Sequence, residues 1–180
     1  MKTTLIGCIG LSLLVIAPAA LAKEKAAKSE TMTINAISTS GVGADIGTVT
    51  LSDSAKGLVV TPKLKGLPPG DHGFHIHAKA DCAAADKDGV MTAGQAAGGH
   101  FDPANTSKHE GPMGQGHEGD MPILKVAADG TATEAVTVPR MKLADAHGHA
   151  IMIHEGGDNY SDTPKPLGGG GARIACGVVK

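Results

Sequence analysis

Residues 123–138 have the sequence ILKVAADGTATEAVTV, and this stretch decides the fold class. Asp129-Gly130 separates two runs rich in apolar and β-branched residues, which is typical of a tight turn between two strands. In the second run, Val136 and Val138 are two residues apart and therefore share one face of a strand. The stretch predicts a β-hairpin.

The same two-residue period recurs along the rest of the chain, with no convincing 3.6-residue stripe. Apolar positions that share a strand face are Met32, Ile34 and Ala36 in a first strand, then Val49 and Leu51 in a second. Turn residues at 53–57 and 68–71 break the pattern. At least seven short strands are expected, the last over 173–179, so the chain is predicted to be an all-β sandwich or Greek-key barrel.

The first residues have the pattern of an export signal. Lys2 is the only charge before an apolar stretch over 5–17, and Ala20-Leu21-Ala22 follows. We expect residues 1–22 to be a secretory signal peptide cleaved after Ala22. A retained membrane anchor is disfavoured because a bilayer span needs about 20 apolar residues. A lipidated Cys8 is disfavoured because its cleavage box begins the apolar run instead of ending it.

Residues 23–180 carry 15 basic and 18 acidic side chains, since Lys2 is the only charge in the signal. The sequence predicts a flexible tail over 23–30 and one domain over 31–180. No basic stripe with interleaved aromatic residues is present. We therefore expect no nucleic-acid partner and, after signal removal, no membrane contact.

Cys82 and Cys176 remain once Cys8 is removed with the signal. In an exported chain, a single disulfide is the economical interpretation. Thiolate metal ligands or a nucleophilic cysteine are the alternatives. They are disfavoured because neither residue lies in a CxxC motif or at ligand spacing from a histidine.

Two segments, 82–121 and 155–172, are too long for the turns of a small β domain. Loops longer than about 12 to 15 residues are usually functional or disordered. Bound metal would order them. The alternative, a disordered low-complexity insertion, conflicts with the positions of the histidines.

The histidine spacing favours two metal ions. His75 and His77 are two residues apart, so on a strand both imidazoles project to the same side. Further candidate ligands are His100, His109, His117, Asp120 and His154. These seven exceed the needs of one tetrahedral ion. Imidazoles with one carboxylate suit zinc, and an all-imidazole set suits copper.

With these residues in this order and spacing, the chain resembles the bacterial secreted branch of the copper/zinc superoxide dismutase family. The matching motifs are Gly73-Phe74-His75-Ile76-His77, Gly99-His100-Phe101-Asp102-Pro103, Lys108-His109-Glu110-Gly111-Pro112, His117-Glu118-Gly119-Asp120, Ile153-His154-Glu155 and Arg173-Ile174-Ala175-Cys176-Gly177. The resemblance implies an immunoglobulin-like, eight-stranded Greek-key β-barrel with two long metal-binding and active-site loops.

The resemblance also implies a site, with one copper and one zinc per subunit. Copper is assigned to His75, His77, His100 and His154, and zinc to His100, His109, His117 and Asp120, so that His100 bridges the two ions. Asp158 is expected to link His75 to His109 through its carboxylate. Arg173 and His100 are the expected catalytic residues, Arg173 by holding the superoxide anion. The implied reaction is the disproportionation of superoxide to dioxygen and hydrogen peroxide, protecting the cell envelope.

Three histidines fall outside this set. His72 is expected to have a hydrogen-bonded structural role, and His147 and His149 are expected at the surface. A metal storage or delivery module and a non-catalytic β-sandwich interaction domain are the competing functions. The complete ligand set and Arg173 argue against both. We expect a periplasmic protein, and the sequence leaves monomer and homodimer open.

Overall fold

The computed structural model describes residues 28–180, so the expected signal peptide, its cleavage site and most of the expected tail lie outside the described residues. The strands are β1 (Ser29–Ser38), β2 (Gly41–Ser54), β3 (Gly57–Leu64), β4 (Gly70–His72), β5 (Phe74–His77), β6 (Ala85–Lys87), β7 (Val90–Thr92), β8 (Leu124–Val126), β9 (Val136–Val138), β10 (Ala150–His154) and β11 (Arg173–Val178). The predicted all-β class is confirmed.

Strand β1 begins at Ser29, within the stretch 23–30 that was expected to be a tail. Ser29 pairs with Ser52 and Glu30 pairs with Leu51, so both residues belong to the first ladder. Backbone pairing with β2 therefore includes the last two residues of the expected tail.

Helical structure is scarce in the described part of the chain. A four-residue helix, α1 (Leu143–Ala146), lies between β9 and β10, and short 3₁₀ turns cover Gln95–Ala97 and Leu167–Gly169. Between residues 28 and 180, no helix has the length and apolar character needed to cross a membrane.

The strands close into a barrel. Seven of them form one antiparallel sheet in the order β5-β10-β11-β1-β2-β3-β9. Strand β4 pairs with β8 and is separated from β5 only by Gly73. Residues 127–135, which include the turn at Asp129-Gly130, connect β8 to β9. Counting β4 and β5 as one interrupted strand gives the eight strands of the predicted Greek-key barrel. The remaining pair, β6 and β7, is a small hairpin within the first long loop.

The turn at Asp129-Gly130 forms as predicted. Gly130 donates to the carbonyl of Ala127 at 2.9 Å and adopts a φ of 81°, which glycine reaches without strain. Beyond the bond from Ala127 to Thr131, the flanking strands separate: β8 pairs with β4, and β9 pairs with β3. Only the turn of the expected hairpin is therefore present, because β8 and β9 each pair with a different strand of the barrel.

Alternation places the core inside the barrel. Phe74 and Ile76 of β5 are fully buried within the main hydrophobic cluster. In β1, Met32 and Ile34 point inward as predicted, but register shifts after Ile34 break the alternation. Ala36 is consequently only partly buried, which corrects its assignment to the same inward face.

A second apolar cluster lies under the first long loop and contains the cysteines. Its buried members are Ile37, Cys82, Ala97, Ala150, Met152 and Cys176. Cys82 and Cys176 form the predicted disulfide, with Cα atoms 5.7 Å apart and a sequence separation of 94. The bond ties the first long loop to β11.

Replacing both cysteines with serine should lower the free energy of unfolding by about 2 to 5 kcal/mol, because a cross-link closing a loop of this length restricts the unfolded chain. Urea unfolding under identical metal loading measures the difference. A double alanine variant is the control for the cost of burying a hydroxyl at Cys176, which is 1% exposed. Equal unfolding midpoints for the parent and both variants would contradict a stabilising role.

Candidate metal centre

The strands β5 and β10 place three histidines on the outer wall of the barrel. His75 and His77 alternate with the core residues Phe74 and Ile76, so both imidazoles point away from the core. His154 ends the neighbouring strand β10, whose Met152 pairs with His75. All three histidines are nevertheless buried, because the two long loops cover this wall.

The first long loop adds its residues by pairing with β5. His100 forms a bridge opposite His77, and Asp120 forms a bridge opposite His75. Gly119 accepts a hydrogen bond from the Ile76 N–H at 2.9 Å, and a Cβ on Gly119 would lie 2.2 Å from the Ile76 carbonyl oxygen. Only glycine permits this approach, so Gly119 is what brings Asp120 to the wall.

Four imidazoles form a first group whose ligand atoms lie within 4.8 Å of one another, made up of His75, His77, His100 and His154. The Nε2 atoms of His77 and His154 face each other at 3.3 Å. Their Nδ1 atoms are engaged elsewhere, His77 with the Gly98 carbonyl at 2.9 Å and His154 with the Gly171 carbonyl at 3.3 Å. The free nitrogens therefore converge, and this all-imidazole donor set fits copper.

A second group within 4.8 Å comprises His75, His100, His109 and Asp120. The two oxygens of Asp120 lie 2.8 Å from His100 Nδ1 and 2.9 Å from His109 Nδ1. From the sequence, we expected His117 in this set in place of His75. His117 lies at the edge, with Nδ1 3.4 Å from Asp120 Oδ1.

The buried atoms without hydrogen-bond partners distinguish His75 from His117 as candidate ligands of the second group. On the second side these atoms are His109 Nδ1, His117 Nδ1 and Asp120 Oδ2, and on the first side they are His75 Nδ1 and His100 Nε2. His75 Nε2 is already bonded to Asp158, so His75 has no nitrogen left for a second ion. His117 has one. With His117 included, the second donor set consists of three imidazoles and one carboxylate, which fits zinc.

Asp158 connects the two groups. Its Oδ2 lies 2.7 Å from His75 Nε2 and its Oδ1 lies 2.7 Å from His109 Nε2, with all three side chains fully buried. Gly168, with a φ of 70°, packs directly on this carboxylate, and a Cβ there would lie 1.9 Å from Oδ1. The structure thus places Asp158 between the two histidines that the sequence analysis named.

Arg173 lies at the start of β11 beside the first group. Its guanidinium donates to the carbonyl oxygens of Gly94 and Gly98, each at 2.6 Å. The Gly98 carbonyl also accepts from His77, so one backbone group holds both residues. Burial lowers the pKa of Arg173, but a guanidinium remains charged at physiological pH.

Burial and neighbouring charges keep the imidazoles of the first group in their neutral form. Burial, and then the charge of a protonated His100, lowers the pKa of His75 and His77 well below the usual value. The same two causes lower the pKa of His154 to about 4. These imidazoles are therefore neutral at pH 7, which is the form that binds a metal ion.

The second group titrates differently. Burial alone would lower the pKa of His109, but the carboxylates of Asp120 and Asp158 outweigh it and raise the pKa to about 9. Burial alone would raise the pKa of Asp120, but His100 and His109 outweigh it and hold the pKa well below its usual range. At neutral pH, a metal ion must therefore displace a proton from His109.

The histidines outside the metal set have other contacts. His72 is buried, with its ring nitrogens 2.7 Å from the His154 carbonyl and 2.8 Å from the Pro68 carbonyl. This matches its expected structural role. His147 is exposed as predicted, whereas His149 is partly covered by Phe101, with ring centroids 4.2 Å apart.

Sequence reasoning missed two side chains that hold the loop backbone. Asp162 accepts from the His109 N–H at 2.9 Å, and Arg140 donates to the carbonyls of Gly116 and His117. Contacts to main-chain atoms leave no spacing pattern in the sequence, so no signal pointed to either residue.

Comparison with known proteins gives a consistent match. A family model described as copper/zinc superoxide dismutase matches residues 46–179. The chain is 57% identical over 171 residues to a Salmonella typhimurium protein named Superoxide dismutase (Cu-Zn) 2, covering 94% of this chain and 98% of the relative.

Two solved structures are similar to the structure of this chain. The Cu/Zn superoxide dismutase of Brucella abortus gives a TM-score of 0.84 at 47% identity, and the monomeric copper, zinc superoxide dismutase of Salmonella enterica gives 0.77 at 59%. Each alignment covers 85% of this chain and 100% of the other.

Asp158→Asn should weaken zinc binding by about 10- to 100-fold, because the variant loses the carboxylate that orients His75 and His109. Competition with a chromogenic chelator measures the zinc affinity. Glu155→Gln is the matched control, since it removes a charge from an exposed position of the same loop. Unchanged zinc affinity in Asp158→Asn would leave this carboxylate without an orienting role.

Proposed function

The chain belongs to the copper/zinc superoxide dismutase family, and from this we infer that its two histidine groups hold the copper and the zinc of that activity. It disproportionates superoxide to dioxygen and hydrogen peroxide. The observation that carries the residue assignment is the set of buried ligand atoms without hydrogen-bond partners, which divides into one cluster on each side of His100.

Copper is assigned to His75, His77, His100 and His154. Zinc is assigned to His100, His109, His117 and Asp120. Support for this division comes from the donor types, since the first set is all imidazole and the second includes a carboxylate. Asp158 is assigned as the residue that orients one ligand of each ion.

His100 is the shared residue. Its Nδ1 lies 2.8 Å from Asp120 on the zinc side, and its Nε2 is buried and unpartnered on the copper side. An imidazole between two cations is able to lose both ring protons, because the flanking charge offsets the cost of the anion. Nε2 is also the atom placed to hold a proton and pass it to the product.

A copper ion held by His75, His77, His100 and His154 would supply the one-electron chemistry by which one superoxide is oxidised to dioxygen and a second is reduced. The second superoxide must take up two protons to leave as hydrogen peroxide. His100 Nε2 supplies one of them and the solvent supplies the other. The neutral state of His75, His77 and His154 leaves three nitrogens available to bind a metal ion.

Arg173 binds the substrate anion. Its guanidinium is held beside His77 by the Gly94 and Gly98 carbonyls, which position a permanent positive charge next to the copper ligands. A local positive charge in a covered site concentrates a small anion, even though residues 23–180 carry a net negative charge.

We assign the protein to the periplasm of a bacterium. The export pattern of residues 1–22 supports this location, and the Cys82–Cys176 disulfide fits an oxidising compartment. Of the two oligomeric states that the sequence left open, the monomer is favoured because the 59% identical Salmonella enterica protein is described as monomeric.

Arg173→Ala should lower the second-order rate of superoxide consumption by about 10- to 100-fold, since it removes a charged partner of the anion. The assay compares the copper- and zinc-loaded chain from residue 23 with this variant. Lys56→Ala, which removes an exposed charge from the turn between β2 and β3, is the control and should retain the parent rate. An unchanged rate in Arg173→Ala would show that Arg173 does not bind the superoxide anion. Tight binding of both metals by the parent without turnover would favour a storage or delivery module.

A further inference from the structure

Arg140 joins the barrel scaffold to the loop that carries the zinc ligands. It lies between β9 and α1, outside both long loops. Its guanidinium donates to the carbonyl oxygen of Gly116 at 3.1 Å and to that of His117. The planar fork of arginine suits this contact, because two adjacent carbonyl oxygens are bonded by one side chain.

His117 needs this support more than the other zinc ligands do. His109 has carboxylate oxygens within 2.9 Å of both ring nitrogens, and its side chain is fully buried. The imidazole of His117 has a longer carboxylate contact, 3.4 Å from Nδ1 to Asp120, and its side chain is 9% exposed. Side-chain contacts therefore fix the first ligand but not the second.

The main chain around His117 is fixed on both sides. The His117 N–H donates to the carbonyl of Lys108 at 2.8 Å, and the His117 carbonyl accepts from Arg140. Gly116 packs against the same Lys108 carbonyl so closely that a Cβ would lie 2.2 Å from its oxygen. The position of the imidazole thus follows from the position of this peptide, and Arg140 is the link from this peptide to the barrel wall.

We propose that Arg140 is a positioning residue of the zinc site, which places His117 at the ion by fixing its carbonyl group. The proposal rests on the proposed function, which gives His117 to zinc. Arg140 acts through the backbone and touches neither the ion nor the substrate. Its hydrogen bonds go to Gly116 and His117, and none goes to His75, His77 or His154, so its loss is expected to lower zinc affinity first.

The experiment measures zinc affinity of the full chain from residue 23 by chelator competition, in the parent and in Arg140→Gln. We expect a loss of about 10- to 100-fold, the usual effect of removing a group that orients a ligand. Arg140→Lys keeps the positive charge but lacks the planar guanidinium that bonds both carbonyl oxygens at once. We therefore expect an intermediate loss of zinc affinity in this variant. Lys142→Gln is the matched control. It removes a cation two residues away whose bond goes to the Ser54 carbonyl, and it should bind zinc as the parent does.

A double-mutant cycle with His117→Ala separates positioning from general destabilisation. If Arg140 acts through His117, Arg140→Gln should change zinc affinity less than twofold in the His117→Ala background. The visible spectrum of cobalt(II) bound in place of zinc should change in Arg140→Gln and stay unchanged in Lys142→Gln.

Three outcomes would overturn the inference. Parent-like zinc affinity in Arg140→Gln would show that the contact has no role in the site. An equal loss in both backgrounds would show that Arg140 stabilises the fold without positioning His117. Parent-like zinc affinity in His117→Ala would remove His117 from the zinc set, so that the proposed ligand assignment fails first and the role of Arg140 fails with it.

Discussion

The carboxylate of Asp158 is the contact on which the arrangement of the site depends. Its two oxygens hold His75 from strand β5 and His109 from the first long loop, each at 2.7 Å. Asp158 itself lies in the second long loop, so one side chain joins both loops to the barrel. Because all three side chains are fully buried, water does not compete for these bonds, and the rings stay oriented. Gly168 is kept free of a side chain by the same packing.

The barrel and the loops are stabilised by different means. Within the barrel, residues such as Phe74 and Ile151 are removed completely from water, and each such burial contributes about 1.5 to 3 kcal/mol. The loops bury imidazoles and a carboxylate, several of whose atoms have no hydrogen-bond partner, at a cost of about 1 to 3 kcal/mol for each. Metal ions remove that cost, so metal binding and loop ordering are coupled. The Cys82–Cys176 disulfide and the backbone bonds of Arg140 and Asp162 restrict the same loops without metal.

Sequence patterns predicted the features that depend on periodicity or on recognisable spacing. Alternation around His75 and His77 was sufficient to place both imidazoles on one wall, and Asp129-Gly130 was sufficient to place a turn. The pattern did not reveal that β8 leaves its hairpin partner for β4, because barrel closure depends on contacts between distant segments. It also missed the register shift after Ile34, since a bulge changes the face of a residue without changing its type. Arg140 and Asp162 were invisible because they bind main-chain groups, which every residue carries.

In the proposed metal centre, two ions share His100. Diffraction from crystals of the loaded protein, recorded at wavelengths on both sides of the copper and zinc absorption edges, tests it directly. We expect a copper signal among His75, His77 and His154 and a separate zinc signal among His109, His117 and Asp120. The zinc–nitrogen distances should be about 2.0 to 2.1 Å, and the His100 ring should lie between the two ions. A single ion, or two ions of which one does not contact His100, would rule out a shared His100 ligand.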